Sequence, residues 1–129
     1  MLNIHIKTIP DKEQRYDTVG DYWKKDGVDE IRVSSVGKRE YEFLVAIHEM
    51  IEQYLCENDG IDEDSITKFD TEFQRLRQSA DAIEPGDSPT APYYKQHLFA
   101  SKIERQIADH CGLDWAKYNE YLNKFYDRK

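Results

Sequence analysis

The stretch that decides the fold is FLVAIHEMIEQYL, which covers Phe43–Leu55. Apolar residues recur in it every three or four positions, and this period predicts an amphipathic helix over about residues 39–57. On a helical wheel of about 100° per residue, His48 and Glu52 fall inside the apolar arc, one turn apart. Glu49 lies at the margin of that arc. The sequence therefore predicts two polar groups turned toward the protein interior.

A carboxylate that faces the core costs several kcal/mol unless it is paired or bound to a cation. Side chains at positions i and i+4 of a helix project in the same direction. Imidazole nitrogen and carboxylate oxygen are both good ligands for zinc and similar divalent ions. His48 and Glu52 therefore have two explanations at this point, a buried ion pair or part of a metal site.

The residues before this helix have the alternating pattern of strands. In the first of them, Ile4, Ile6 and Thr8 share a predicted buried face and His5 lies on the exposed side. We expect a small antiparallel sheet at the N-terminus. Its strands are predicted over residues 3–9, 16–23 and 29–36.

Three more helices are predicted after the first. The second begins at DEDS and runs to about residue 79, and the Pro-rich loop Glu84–Pro92 follows. The third helix runs to Cys111 with Pro92 in its first turn, and Asp114 caps the fourth. The predicted fold is therefore α+β, a single domain over residues 1–129 with a sheet followed by about four helices.

The third predicted helix offers further ligands. His97 and Glu104 lie at one edge of its apolar arc, beside Ala100 and Ala108, whose small side chains allow two helices to approach closely. We expect His97 to be the third ligand. Glu104 and the partly inward Asp70 of the second helix are the next candidates.

The motif His48-Glu49-x-x-Glu52, on a helix that follows a small sheet, resembles the HExxH helix of the zincin metallopeptidases. In that family the two motif histidines bind zinc, the glutamate activates a zinc-bound water, and a later helix or loop supplies a third ligand. The resemblance implies that His48 is a metal ligand and Glu49 the general base. Glu52 stands where the family has its second histidine, and this departure weakens the case for peptidase activity. The layout, with PYYKQHLFA, is also similar to small zincin-like proteins of phages and prophages.

This resemblance implies a zincin-like hydrolase that uses zinc, or another divalent metal, on an unknown peptide or protein substrate. Tyr93 and Tyr94, one turn before His97, are candidate donors to an oxyanion. Carboxylates near the ion lower its Lewis acidity, so we expect slow hydrolysis or none. The alternative is a non-enzymatic phage accessory or interaction protein with a structural or inactive site.

The composition argues against several classes of partner. The formal net charge of −8 disfavours binding to nucleic acid phosphates and to anionic membranes. Residues 1–10 are too short and polar for a signal peptide, and no apolar run approaches membrane length. We therefore expect a cytoplasmic protein in which Cys56 and Cys111 are buried thiols rather than a disulfide.

Overall fold

A computed structural model describes residues 1–76 and 84–126 of the chain. Within these ranges a three-stranded sheet is followed by four α-helices, which confirms the predicted α+β class. The predicted last turn of the second helix, to about residue 79, lies outside the described residues. The elements are β1 (Ile4–Ile9), β2 (Gly20–Lys25), β3 (Val28–Ser34), α1 (Arg39–Asn58), α2 (Glu63–Leu76), α3 (Tyr94–His110) and α4 (Trp115–Asn123).

The sheet is mixed, with strand order β1-β3-β2. A tight turn at Asp26 and Gly27, both with positive φ, joins β2 to β3 as an antiparallel hairpin. β1 pairs with β3 in parallel, so the antiparallel prediction is wrong for this pair. Alternation of apolar residues predicts the two faces of a strand but not its direction, and this limit explains the error.

The predicted buried face of β1 is also wrong. Ile6 is 44% exposed and Thr8 is exposed, while Ile4 is only half-buried. β1 is an edge strand, and its helix-facing side borders an open apolar groove formed with Phe43 and other residues of α1. His5 is exposed, as predicted.

The core lies where α1 crosses β2 and β3 and packs along α3. The helix pair α1 and α3 has the most extensive contact of any two helices described. Ala100 and Ala108 are completely buried at this contact, which confirms the predicted close approach. The helix face that carries His48 is therefore pressed against the face that carries His97.

Several helix ends follow the predicted signals. Gly60, with φ of 74°, follows α1, and the Asp114 side chain accepts a hydrogen bond from the backbone N–H of Lys117 at the start of α4. α3 begins at Tyr94, so Pro92 lies in the preceding turn rather than in the helix.

Cys56 is buried as predicted, but Cys111 is exposed, because it follows the last residue of α3 at the surface. Among the described helices, none is both long and apolar enough to cross a bilayer.

Candidate metal centre

His48, Glu52 and His97 converge on one point between α1 and α3. His48 Nε2 lies 3.1 Å from Glu52 Oε1 and 3.1 Å from His97 Nδ1, and His97 Nδ1 lies 2.8 Å from Glu52 Oε1. The three residues are only 6%, 4% and 3% exposed. The structure thus brings together all three residues predicted as metal ligands.

The triangle formed by these three atoms is close to the size that zinc requires. With metal–ligand bonds of about 2.0–2.1 Å in a tetrahedral site, neighbouring ligand atoms lie roughly 3.3 Å apart. The observed separations of 2.8–3.1 Å are slightly shorter. A small outward movement of the side chains would therefore accommodate the ion, and the same three residues line the adjoining cavity.

The second nitrogen of His48 is held by a buried carboxylate. His48 Nδ1 lies 2.8 Å from Glu104 Oε1 on α3. The other oxygen of Glu104 accepts a short hydrogen bond from the hydroxyl of Tyr118 on α4, which is 1% exposed. Glu104, predicted as an alternative third ligand, therefore supports a ligand from behind, as is common for metal-binding histidines.

The second nitrogen of His97 is also held by a carboxylate. His97 Nε2 lies 3.0 Å from Asp87 Oδ1 and 3.4 Å from Glu84 Oε2, both in the turn that precedes α3. Gly86 of the same turn lies against the imidazole, so that a Cβ atom there would come closer than 3.0 Å to the ring. The sequence predicted a loop over this segment but no contact between its carboxylates and His97.

These outer contacts determine which nitrogen atoms carry protons. If the nitrogen facing Glu104 or Asp87 donates in each case, the neutral imidazoles of His48 and His97 direct their lone pairs at Glu52. Three electron-rich atoms then meet about 3 Å apart inside the protein. This arrangement requires positive charge at its centre, supplied either by protons or by a metal ion.

The pKa values of His48, Glu52 and His97 reflect the same need for positive charge at the centre of the cluster. Burial disfavours their charged forms, but the mutual hydrogen bonds outweigh it. The pKa of Glu52 falls to about 2, because protonated His48 and His97 both donate hydrogen bonds to its carboxylate. The pKa of His97 rises to about 10 through Asp87 and Glu52, and the pKa of His48 rises well above its usual value through Glu104 and Glu52.

Glu49, the predicted general base, lines the cavity beside the triad. Its carboxylate has no hydrogen-bond partner among residues 1–76 and 84–126. Burial, followed by the negative charge of Glu52, raises the pKa of Glu49 well above the usual range. Gly20 at the start of β2 makes room for this side chain, because a Cβ atom there would clash with Glu49 and Val45.

The other predicted site residues, Asp70, Tyr93 and Tyr94, do not all lie at the cavity. Asp70 is buried and accepts hydrogen bonds from Tyr16, at 2.9 Å, and from Tyr93. Burial raises the pKa of Asp70 to about 7. Asp70 and Tyr93 line the same cavity as the triad without touching its ligand atoms, whereas Tyr94 packs against the core away from the cavity.

Comparisons with protein-family models, with curated proteins and with solved structures find no match to this chain. The geometry of the site itself therefore indicates what the protein can do chemically.

Proposed function

We propose that the chain is a zinc-dependent hydrolase, or one that uses a similar divalent ion, and that His48, Glu52 and His97 hold the metal. The observation that carries this proposal is the convergence of three buried ligand atoms within 2.8–3.1 Å of one another. Two imidazoles and one carboxylate form a ligand set that zinc accepts in catalytic sites.

In this proposal the bound ion would activate water and polarise a carbonyl group. Glu49 lines the cavity, has no hydrogen-bond partner in the described part of the chain, and takes a proton from the attacking water. The water oxygen bonds to the carbonyl carbon, and the proton passes to the leaving nitrogen as the C–N bond breaks. The products are a carboxylic acid and an amine. Glu104 and Asp87 keep the two imidazoles in position during this step.

Metal content is the first test. Elemental analysis of protein purified without added metal should give about one zinc per chain, and His48→Ala should lose it. His110→Ala is a matched control, since His110 is exposed at the end of α3. Full metal content in His48→Ala would disprove the assignment of the site.

Activity is the second test, and it concerns Glu49. The Glu49→Gln variant should keep the metal but lose hydrolysis by about 100-fold or more, the usual contribution of a general base. Equal rates in wild type and Glu49→Gln would remove Glu49 from the mechanism.

A second candidate is a non-enzymatic protein, such as a phage accessory or interaction module, in which the cluster is purely structural. The carboxylates on both sides of each imidazole favour it, because two imidazoliums that share Glu52 and face Glu104 and Asp87 supply the positive charge of the cluster without metal. Thermal unfolding separates the candidates. Zinc at about 100 times its Kd should stabilise a metal-binding fold by about 2.7 kcal/mol, whereas a purely structural cluster would show no stabilisation.

A further inference from the structure

The two edges of the sheet differ in how their backbone groups are satisfied. On β2, the hydrogen bond from Ser34 N to Val19 O sets the phase of the ladder, so that Gly20, Tyr22 and Lys24 direct their N–H groups away from β3. Each of these N–H groups already donates to a side-chain oxygen. The acceptors are Thr18 Oγ1 at 3.3 Å, Asp21 Oδ1 at 2.9 Å and Glu63 Oε2 at 2.9 Å. The β2 edge is therefore closed to added strands.

The β1 edge is open. The hydrogen bonds from Asp29 N to Asn3 O and from Ser35 N to Ile9 O set its phase, so that the odd-numbered residues of β1 bond to β3 and the even-numbered residues face outward. The outward-facing residues are Ile4, Ile6 and Thr8. In the part of the chain that the structure describes, their backbone groups have no hydrogen-bond partner. An open row of this kind is a template for pairing with another strand.

An apolar groove runs along the same edge. It lies between the helix-facing side of β1 and the N-terminal half of α1, and its volume is about 1010 Å³. Within it, Ile6 is 44% exposed and Phe43 is 54% exposed. The exposed apolar surface is thus continuous with the open backbone edge.

A second copy of β1 fits this edge. Two copies of one strand that are related by a two-fold axis across the sheet run antiparallel. When Ile6 lies opposite Ile6 of the second copy, Ile4 lies opposite Thr8. Every outward N–H and C=O group of these residues then has a partner, because directly opposed residues in this phase exchange both of their hydrogen bonds. The grooves of the two copies lie side by side over the joined strands.

The charges on the other face of β1 favour this register. Lys7 has no ion-pair partner among residues 1–76 and 84–126. It comes to lie opposite His5 of the second copy, whose Nδ1 lies 2.9 Å from Glu30 Oε1, so that Lys7 approaches a carboxylate across the interface. The registers on either side place Lys7 against Lys7 or His5 against His5. Like charges that are directly opposite destabilise a sheet.

We propose that the chain forms a two-fold symmetric dimer in which β1 pairs antiparallel with β1 of a second copy, centred on Ile6. The two three-stranded sheets then become one continuous sheet. The interface lies on the opposite edge from β2, whose Gly20 and Tyr22 line the cavity of the candidate centre. The dimer therefore depends neither on bound metal nor on the hydrolytic function proposed above.

Sedimentation equilibrium tests the association. The full chain at about 1–500 µM should show a monomer–dimer equilibrium. Ile6→Lys sets two like charges against each other at the centre of the interface and should weaken association by about 100-fold or more. Leu98→Lys is the matched control, since Leu98 on α3 is 43% exposed, and it should associate as the wild type does. A monomer over the whole range, or an equal effect of the two variants, would refute the dimer.

Amide hydrogen exchange locates the interface in the wild-type chain, without relying on a variant. The N–H groups of Ile4, Ile6 and Thr8 should exchange freely in dilute protein and become protected at high concentration. Those of His5 and Lys7 should be protected at both concentrations, because they bond to β3. A dimer in which the three even-numbered residues stay unprotected would place the interface elsewhere and overturn the proposal.

A charge reversal tests the register. Lys7→Glu brings a carboxylate toward Glu30 of the second copy and should weaken the dimer about tenfold. Lys25→Glu, exposed on β2, makes the same change in net charge and should leave the dissociation constant unchanged. Equal dissociation constants for these two variants would show that Lys7 does not face the second copy in the proposed register.

Discussion

The two histidines of the candidate centre have the same chemical role but lie in different surroundings. His48 is supported by Glu104, which is buried and is held in turn by Tyr118. His97 is supported by Asp87, whose side chain is 45% exposed in the turn before α3. A charge pair in a buried, weakly polar environment is stronger and less screened than one that water reaches. We therefore infer that the His48 side is a fixed anchor and the His97 side is adjustable.

Replacing the buried support should have the largest effect. Glu104→Gln keeps an acceptor near His48 Nδ1 but removes the charge, and zinc affinity should fall by about 100-fold, the upper end for such outer ligands. Competition with a chromophoric chelator measures the loss. Glu120→Gln, exposed on α4, is the control for charge. A loss below tenfold would contradict the anchor assigned to His48.

The next largest effect concerns the fit of the turn against His97. An added methyl group in Gly86→Ala clashes with the imidazole and should cost about 1–3 kcal/mol, shared between folding and metal affinity. Chemical denaturation measures the loss of folding stability, and zinc titration measures the loss of metal affinity.

Gly20→Ala is the informative partner variant, because its clash falls on Glu49 instead. It should lower hydrolysis while zinc stays bound. Loss of zinc in Gly20→Ala but not in Gly86→Ala would reverse the roles given to these glycines.

The difference between the two sides also separates what the sequence could predict from what it could not. His48 and Glu52 belong to one helix, and helical periodicity alone turns both inward. His97 followed from the same reasoning on a second helix. Asp87 and Gly86 carry no such signal, because a proline-rich turn has no period from which a direction could be derived.

Long-range contacts explain the other missed features. Glu104 was recognised as inward-facing, but its role depends on a contact with His48 across 56 positions of sequence. The parallel pairing of β1 depends likewise on the path of the chain between strands. Gly20 fell inside the strand predicted over residues 16–23 and carried no signal of its own. Only the position of Glu49 shows why a side chain cannot replace it.

A smaller effect is expected at the exposed support of His97. Asp87→Asn should reduce zinc affinity by about tenfold, the lower end for outer ligands, because Glu84 lies close enough to share the contact. The loss should shrink when the NaCl concentration rises from about 0.05 to 0.5 M, since salt screens partly exposed charges. The Glu104→Gln loss should not change with salt. Equal salt dependence of both variants would remove the distinction between the two sides.

The smallest effect is expected at Tyr118, one step further from the metal. Tyr118→Phe removes the hydroxyl that donates to Glu104 but leaves the carboxylate in contact with His48. One lost hydrogen bond is worth about 1 kcal/mol, which corresponds to roughly a fivefold loss of zinc affinity. Tyr121→Phe is the control, because it removes a comparable bond to the carbonyl of Val36, away from the site. If Tyr118→Phe and Tyr121→Phe both bind zinc as the wild type does, then Glu104 positions His48 without help from Tyr118. A loss in Tyr118→Phe alone would show that α4 helps to position His48 although it supplies no ligand.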